Sequence, residues 1–197
     1  MTTATQSSPR ERILSKAVDL FYRQGYQATG INQIIAEAGV ARASFYAHFP
    51  SKDDLFVAYA QAISDKEMEE MHLGLGTLTS ARDRFYGLLT LLPQWLEMYD
   101  YRGCPFQLIL AESPNGDERL HAISRHHHEV LIDLVKELAQ AYYAENSSLQ
   151  RVDLDQLARL YIVLMDGAIA AAVAYRDHWP IIQAIQTIKR QVEPVAW

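Results

Sequence analysis

Apolar residues recur at the spacing of an α-helix along almost the whole of this 197-residue chain. An amphipathic helix places apolar side chains three and four residues apart, whereas a half-buried strand alternates them every second residue. No stretch of the sequence sustains the strand alternation. The sequence therefore predicts an all-α protein, in which a three-helix N-terminal head is joined to a larger helical bundle.

Caps and helix breakers mark the helix boundaries of the head. Ser8-Pro9-Arg10-Glu11 has the spacing of a capping box with proline at the first helical position, and Gly25 ends this predicted helix. A second helix is predicted between Gly30 and Gly39, and a short third one between Gly39 and Pro50. Two short helices joined by a glycine turn and preceded by a longer helix predict a helix-turn-helix unit.

The remaining helices form the predicted bundle. A fourth helix is predicted from Ser51 to about residue 72, where Gly74 and Gly76 should end it, and Pro93 should kink or divide the helix at 80–99. Further helices are predicted at 117–145, 152–176 and 180–192.

Charge divides the chain in the same way. The net charge is −6, yet residues 1–50 hold five basic and three acidic side chains, a net of +2, which leaves −8 for the rest. Only the head is therefore expected to approach a polyanion. We predict a helix-turn-helix domain at 1–50 and a larger helical domain at 51–197.

The third helix has the composition of a helix that reads DNA in the major groove. Phe45 and Phe49 would face inward, leaving an outer face of Arg42, Ala43, Ser44, Tyr46, Ala47 and His48. An arginine can read a guanine edge, while hydroxyl and imidazole groups can donate to phosphates, as can Lys52 in the next helix. The alternative is a short aromatic helix that only fills a core.

Residues 25–56, GYQATGINQIIAEAGVARASFYAHFPSKDDLF, resemble the DNA-binding head of TetR-family transcriptional regulators. The matching features are Gly25-Tyr26, Thr29, the run 35–40, Tyr46, Phe49 and Lys52. The resemblance implies that Thr29 and Tyr46 contact phosphate with His48 and Lys52 beside them, and that Asn32, Arg42 and Ala43 lie at base edges. Two positions depart from the family pattern: Gly30 replaces a common Ser or Thr cap, and Ala43 replaces a common glycine.

The same resemblance implies a homodimeric repressor that a small-molecule effector releases from a palindromic, double-stranded operator. By this resemblance residues 51–197 form an effector-binding and dimerisation domain, and its last two helices would form the dimer interface. The segment 157–175 is rich in small residues, and the last helix offers Ile181, Ile182, Ile185 and Ile188. Plain intrachain packing is the alternative. Candidate effector-pocket residues are Trp95, Tyr99, Phe106, His127, Tyr161 and Met165, although ordinary core packing would explain the same residues.

Cys104, in the stretch RGCPF, offers a second route to regulation. Some TetR-like regulators carry a similar Arg-Gly-Cys turn, which suggests a subfamily. A helix N-terminus and the neighbouring Arg102 would favour a thiolate that senses oxidants or electrophiles. A small buried residue in a tight turn is the alternative.

Other classes of protein find little support in the sequence. No phosphate loop, nucleophile elbow or zinc-protease motif occurs, so we expect no enzyme and no cofactor. Consecutive His126, His127 and His128 point in different directions on a helix, so no metal site is expected. The longest nearly apolar run, 162–175, is interrupted by Asp166 and is too short to span a bilayer, and a single cysteine fits a reducing cytoplasm.

Overall fold

The computed structural model describes residues 7–113 and 116–193. Regular structure among these residues is entirely helical, so the all-α prediction is confirmed. In chain order the helices are α1 (Pro9–Gln24), α2 (Ile31–Ala38), α3 (Arg42–His48), α4 (Lys52–Gly76), α5 (Ala81–Thr90), α6 (Leu92–Met98), α7 (Pro105–Ala111), α8 (Glu118–Glu145), α9 (Leu154–Tyr175) and α10 (Trp179–Val192).

The chain forms two compact units. The head unit comprises residues 1–66 and 105–124, and the body unit comprises residues 67–104 and 125–197. These units differ from the predicted domains at 1–50 and 51–197, whose functional division remains a prediction. Both the predicted domains and the observed units include residues 1–6, 114–115 and 194–197, which lie outside the described residues.

The start of α1 has the predicted capping box. The backbone N–H of Glu11 donates to Ser8 Oγ at 3.3 Å, and the backbone N–H of Ser8 donates to Glu11 Oε2 at 2.7 Å. These bonds satisfy two helix-end donors, and such caps contribute roughly 1 kcal/mol. The C-terminal end of α2 is marked by Gly39, which has the left-handed φ of 61° that glycine adopts most readily.

Aromatic and aliphatic side chains fill the core of the head unit. Ile13, Ile34 and Phe45 are fully buried and connect α1, α2 and α3. The ring of Phe21 meets that of Phe56 edge-on at 5.1 Å between centroids. Burial of each such side chain stabilises the fold by about 1.5–3 kcal/mol, so these contacts hold two short helices that could not form alone.

One predicted boundary is wrong, and another is confirmed. The fourth helix does not end before Gly74 but continues to Gly76. Leu75 between the two glycines is only 5% exposed, and its burial outweighs the cost of roughly 1 kcal/mol per helical glycine. The predicted division at Pro93 is confirmed, because α5 ends at Thr90 and α6 carries Pro93 in its first turn.

A single carboxylate joins three helices of the body unit. Glu193, the residue after α10, accepts hydrogen bonds through Oε1 from the Arg82 guanidinium at 3.1 Å and from the hydroxyls of Tyr86 at 3.1 Å and Tyr142 at 3.2 Å. Arg82 and Tyr86 belong to α5 and Tyr142 to α8. The carboxylate therefore fixes the end of α10 against both helices.

Helix α9 combines length with an apolar sequence. It has 22 residues, an 18-residue stretch of it has a mean hydropathy of 1.8, and by length and composition it could cross a membrane. The nearly apolar run at 162–175 is therefore only part of a longer helix, which begins at Leu154. One such helix is weak evidence for a membrane protein, since core helices of soluble proteins have the same properties.

Candidate nucleic-acid interface

Helix α3 presents a polar face to solvent and an aromatic face to the core. Phe45 is 0% exposed and Phe49, at the end of the helix, is 3% exposed. The opposite side carries exposed Arg42, Ala43, Tyr46, Ala47 and His48, with Ser44 half-buried. This exposed face is the one that the sequence predicted to face DNA.

Arg42 is oriented by two neighbours before any ligand arrives. Its Nη1 donates to Asn32 Oδ1 at 3.3 Å, and its guanidinium lies 5.7 Å from the centre of the Tyr46 ring. A cation over an exposed aromatic ring gains about 0.5–1 kcal/mol. The structure thus brings together three predicted DNA-contacting residues and gives Asn32 and Tyr46 the role of holding the arginine fork.

Thr29 does not lie on this surface, which corrects the predicted phosphate contact. Its side chain is 0% exposed, and its hydroxyl donates to the Gly25 carbonyl at 2.7 Å. A buried hydroxyl with an internal acceptor cannot reach a phosphate in this conformation, so Thr29 closes the turn before α2. Gly30 makes no side-chain cap, as its missing hydroxyl group implies.

Lys52 begins α4 beside a group of polar residues. Its Nζ lies 4.1 Å from the centre of the Tyr26 ring, and the Tyr26 hydroxyl donates to the Asp53 carboxylate. Burial lowers the pKa of Lys52, while the nearby charges of Asp53 and Glu112 oppose that change. Burial, and then the hydrogen bond to Asp53, raises the pKa of Tyr26 well above its ordinary value, so this hydroxyl stays protonated.

Two further contacts of the head were not predicted. Arg12 Nε donates to the Ala38 carbonyl at 3.2 Å and thereby ties α1 to the end of α2. The carboxylate of Glu112 accepts from the backbone N–H groups of Tyr26 and Gln27, the latter at 3.2 Å. No sequence signal indicated the second contact, because Glu112 lies 86 residues beyond Tyr26.

The predicted effector residues occupy several environments. In the body unit, Tyr161 and Met165 are buried on α9, whereas Trp95 and Tyr99 are half-buried on or just after α6 with ring centroids 5.4 Å apart. The Tyr161 hydroxyl donates to the Phe85 carbonyl at 3.0 Å, which is a structural role. Phe106 is 1% exposed and belongs to the head unit, so it shares no unit with the other aromatic candidates.

His127 is a buried histidine with acidic neighbours. It is 3% exposed, and its Nε2 lies 3.4 Å from Glu67 Oε2. Burial, and then the charge of His128, lowers the pKa of His127 to about 4, although Asp166 opposes the shift. His127 is therefore neutral at pH 7. Its neighbour His128 contacts Asp166 instead, with 3.1 Å between Nε2 and Oδ2.

Cys104 is largely enclosed. The residue is 9% exposed and precedes α7, after Gly103 at a φ of 99°.

Among the described residues no group of three His, Cys, Asp or Glu side chains is placed to hold a metal ion.

Part of the exposed surface of α9 and α10 is apolar. Exposed positions on α9 follow a helical stripe of Val163, Gly167, Ala170 and Ala174. Tyr175, Trp179 and Ile182 extend this surface, with 65%, 47% and 54% exposure. Of the isoleucines predicted for an interface, Ile181 and Ile188 are buried instead. We call the seven exposed residues the outer apolar face.

In the head unit, α2 and α3 form a helix-turn-helix motif, and α3 carries the exposed Arg42. This arrangement defines a class of DNA-binding regulators. Two family models match this chain: "Bacterial regulatory proteins, tetR family" over residues 13–59, and "Tetracyclin repressor-like, C-terminal domain" over residues 83–188. The second match alone covers more than half of the sequence. The chain therefore belongs to the TetR family of transcriptional regulators, and DNA-binding regulation is the activity of that family.

Individual relatives agree with this assignment over nearly the full length. The HTH-type transcriptional regulator LmrA of Bacillus subtilis is 26% identical over 177 residues, which is 88% of this chain and 90% of that protein. The TetR-family regulator SCO4454 of Streptomyces coelicolor is 27% identical with a TM-score of 0.80, covering 96% and 92% of the two chains. The reduced form of Escherichia coli NemR has the same fold, with a TM-score of 0.80 at 22% identity over 93% and 97%.

Proposed function

We propose that this protein is a cytoplasmic, homodimeric transcriptional repressor that leaves a palindromic operator when a small molecule binds to it. The observation that carries the proposal is the solvent-facing side of α3, on which Arg42 is held by Asn32 and Tyr46. Arginine presents a planar fork that matches the acceptor pair of guanine. Because its fork is already oriented, Arg42 loses less conformational freedom on binding than a free side chain would.

Phosphate contacts would flank this base contact. Tyr46, His48 and half-buried Ser44 supply donors on α3, and Lys52 supplies a cation at the start of α4. With two heads per dimer, several phosphates are neutralised together, which makes affinity fall steeply with salt. Ala43 would offer a methyl group for contact with thymine. Thr29 is left out of this interface because it is buried.

The outer apolar face supports the homodimer. Val163, Tyr175, Trp179 and Ile182 are large apolar side chains that remain exposed in a single chain. Small residues between them, Gly167 among these, would let two copies of α9 approach closely. An isologous interface of this kind gives the two-fold symmetry that a palindromic operator requires.

Release from the operator requires an effector that binds the DNA-free state more tightly. Coupling of this sort is typically about 1–3 kcal/mol. Trp95, Tyr99, Met165 and His127 of the body unit are the proposed effector contacts. Their aromatic and apolar character favours a small ligand that is itself largely apolar.

Sensing through Cys104 is the second candidate for the effector step. The turn of Arg102, Gly103 and Cys104 keeps one thiol at the start of α7, and one of the similar structures is described as a reduced form. In this alternative an oxidant or electrophile would modify the thiol, and a modified side chain would no longer fit its enclosed position. The Cys104→Ser variant separates the candidates, since it would abolish oxidant-induced release but not ligand-induced release.

The direct test is selection of DNA from a random duplex library by the purified chain. We expect an inverted-repeat consensus bound by a dimer, with affinity that falls steeply between 50 and 200 mM salt. Arg42→Ala should relax specificity at one guanine position of each half-site. Equal affinity for all duplexes would refute the proposal.

A further inference from the structure

We propose that Glu112 is a positioning residue for operator binding: its carboxylate holds the α1–α2 turn and, through Tyr26, the DNA-contacting Lys52. The proposal rests on the DNA-binding function proposed above and adds a residue of the segment 105–124 to it. All the groups concerned belong to the head unit.

The first step is the contact between Glu112 and the turn. Its carboxylate accepts from the N–H groups of Tyr26 and Gln27. Gly25 makes this approach feasible, because a Cβ atom there would lie 2.6 Å from Glu112 Oε1 and the φ of 87° is one that other residues rarely adopt. Hydrogen bonds to an ionised acceptor are roughly twice as strong as neutral ones, so the carboxylate fixes the backbone of this turn.

The second step leads from the turn to Lys52. The Tyr26 ring packs 4.1 Å from the Lys52 ammonium, and its hydroxyl donates to Asp53, the next residue of α4. Tyr26 is 8% exposed, so its ring has little freedom once its backbone is held. The position of the carboxylate therefore determines where the Lys52 ammonium lies relative to a phosphate beside α4.

A second contact from the same segment reaches the same part of α4. Arg119 Nη1 donates to Asp54 Oδ1 at 2.8 Å, and Arg119 is itself held by Asp117. The segment 105–124 thus touches both the α1–α2 turn and the first turn of α4. Both Glu112 and Arg119 lie within the stretch matched by the C-terminal domain model.

The simplest rival explanation is that Glu112 only stabilises the fold. The two explanations differ in how the effects of substitutions combine. If Glu112 acts through Lys52, its replacement should matter much less once Lys52 is already neutral, whereas independent effects on binding add.

The experiment measures equilibrium binding of the full chain to the duplex that the wild type selects from a random library. Glu112→Gln, Lys52→Gln and the double variant are compared, and Glu145→Gln, an exposed site on α8, controls for the change in charge. Circular dichroism melts of each variant establish that the protein is folded at the assay temperature.

We expect Glu112→Gln to bind roughly tenfold more weakly while Glu145→Gln binds as the wild type does. In the Lys52→Gln background, the same substitution should weaken binding by no more than about threefold. Unchanged affinity, additive effects, or a Glu112→Gln chain that does not fold would each overturn the positioning role. If the wild type selects no duplex at all, the proposed DNA-binding function fails instead, and the inference that rests on it falls as well.

Discussion

Replacing His127 with glutamine tests the argument that this histidine is buried in its neutral form. His127 is 3% exposed and its Nε2 lies 3.4 Å from Glu67 Oε2. Glutamine keeps a polar group that can face Glu67 but cannot take up a proton. The substitution therefore removes the titration and retains most of the packing.

The size of the effect of pH on the free energy of unfolding follows from the pKa of His127, which burial lowers from its ordinary 6.5 to about 4. Between these two values the unfolded chain binds more protons than the folded chain, so stability rises with pH. The contribution is fully present above about pH 6.5 and is lost as the pH falls toward 4. For these two pKa values it decreases by about 2 kcal/mol between pH 7.5 and pH 5.0, and by roughly 3 kcal/mol in full.

Urea unfolding at one fixed protein concentration measures this difference. Carboxylates also titrate at low pH, so the informative quantity is the loss of stability in the wild type minus the loss in the variant. We expect the wild type to lose about 2 kcal/mol more than His127→Gln between pH 7.5 and pH 5.0. Equal losses in the two proteins would refute the argument that His127 is held neutral by burial.

Three shorter predictions concern the head and the outer apolar face. Phe45→Ala should destabilise the chain by about 3 kcal/mol in urea unfolding, because a fully buried ring leaves a cavity; a loss under 1 kcal/mol would contradict the packing described for α3. Arg42→Lys should weaken binding to the selected duplex by roughly tenfold, since lysine lacks the fork, and unchanged affinity in a fluorescence anisotropy titration would argue against base contact. Ile182→Asp should yield monomers in light scattering, because a charge would be buried in the interface, whereas dimers of unchanged stability would place the interface elsewhere.

Local signals in the sequence were sufficient to predict most of the head. The capping box at Ser8, the glycines at 25 and 39, and the spacing of Phe45 and Phe49 each depend on neighbours within one or two helical turns. The outward face of α3 then follows from its buried face, and the solvent-facing positions of Arg42 and His48 are confirmed.

Features that depend on distant residues were not predictable in this way. Thr29 is a polar residue in a turn, and its neighbours in the sequence do not indicate that it would be buried, although the carbonyl that accepts its hydroxyl belongs to nearby Gly25. Likewise, the contact of Glu112 with the α1–α2 turn joins residues 86 positions apart. Gly74 and Gly76 each disfavour a helix, which is why the sequence predicted an earlier end for α4, but the burial of Leu75 outweighs that preference.

The Glu193 carboxylate also determines how the C-terminal end of the chain can be handled in the laboratory. Removing residue 193 would leave the hydroxyls of Tyr86 and Tyr142 without their shared acceptor and release the Arg82 guanidinium. A deletion that begins at residue 193 would loosen α10, the helix that carries Trp179 and Ile182 of the outer apolar face, and would be read mistakenly as a defect of dimerisation.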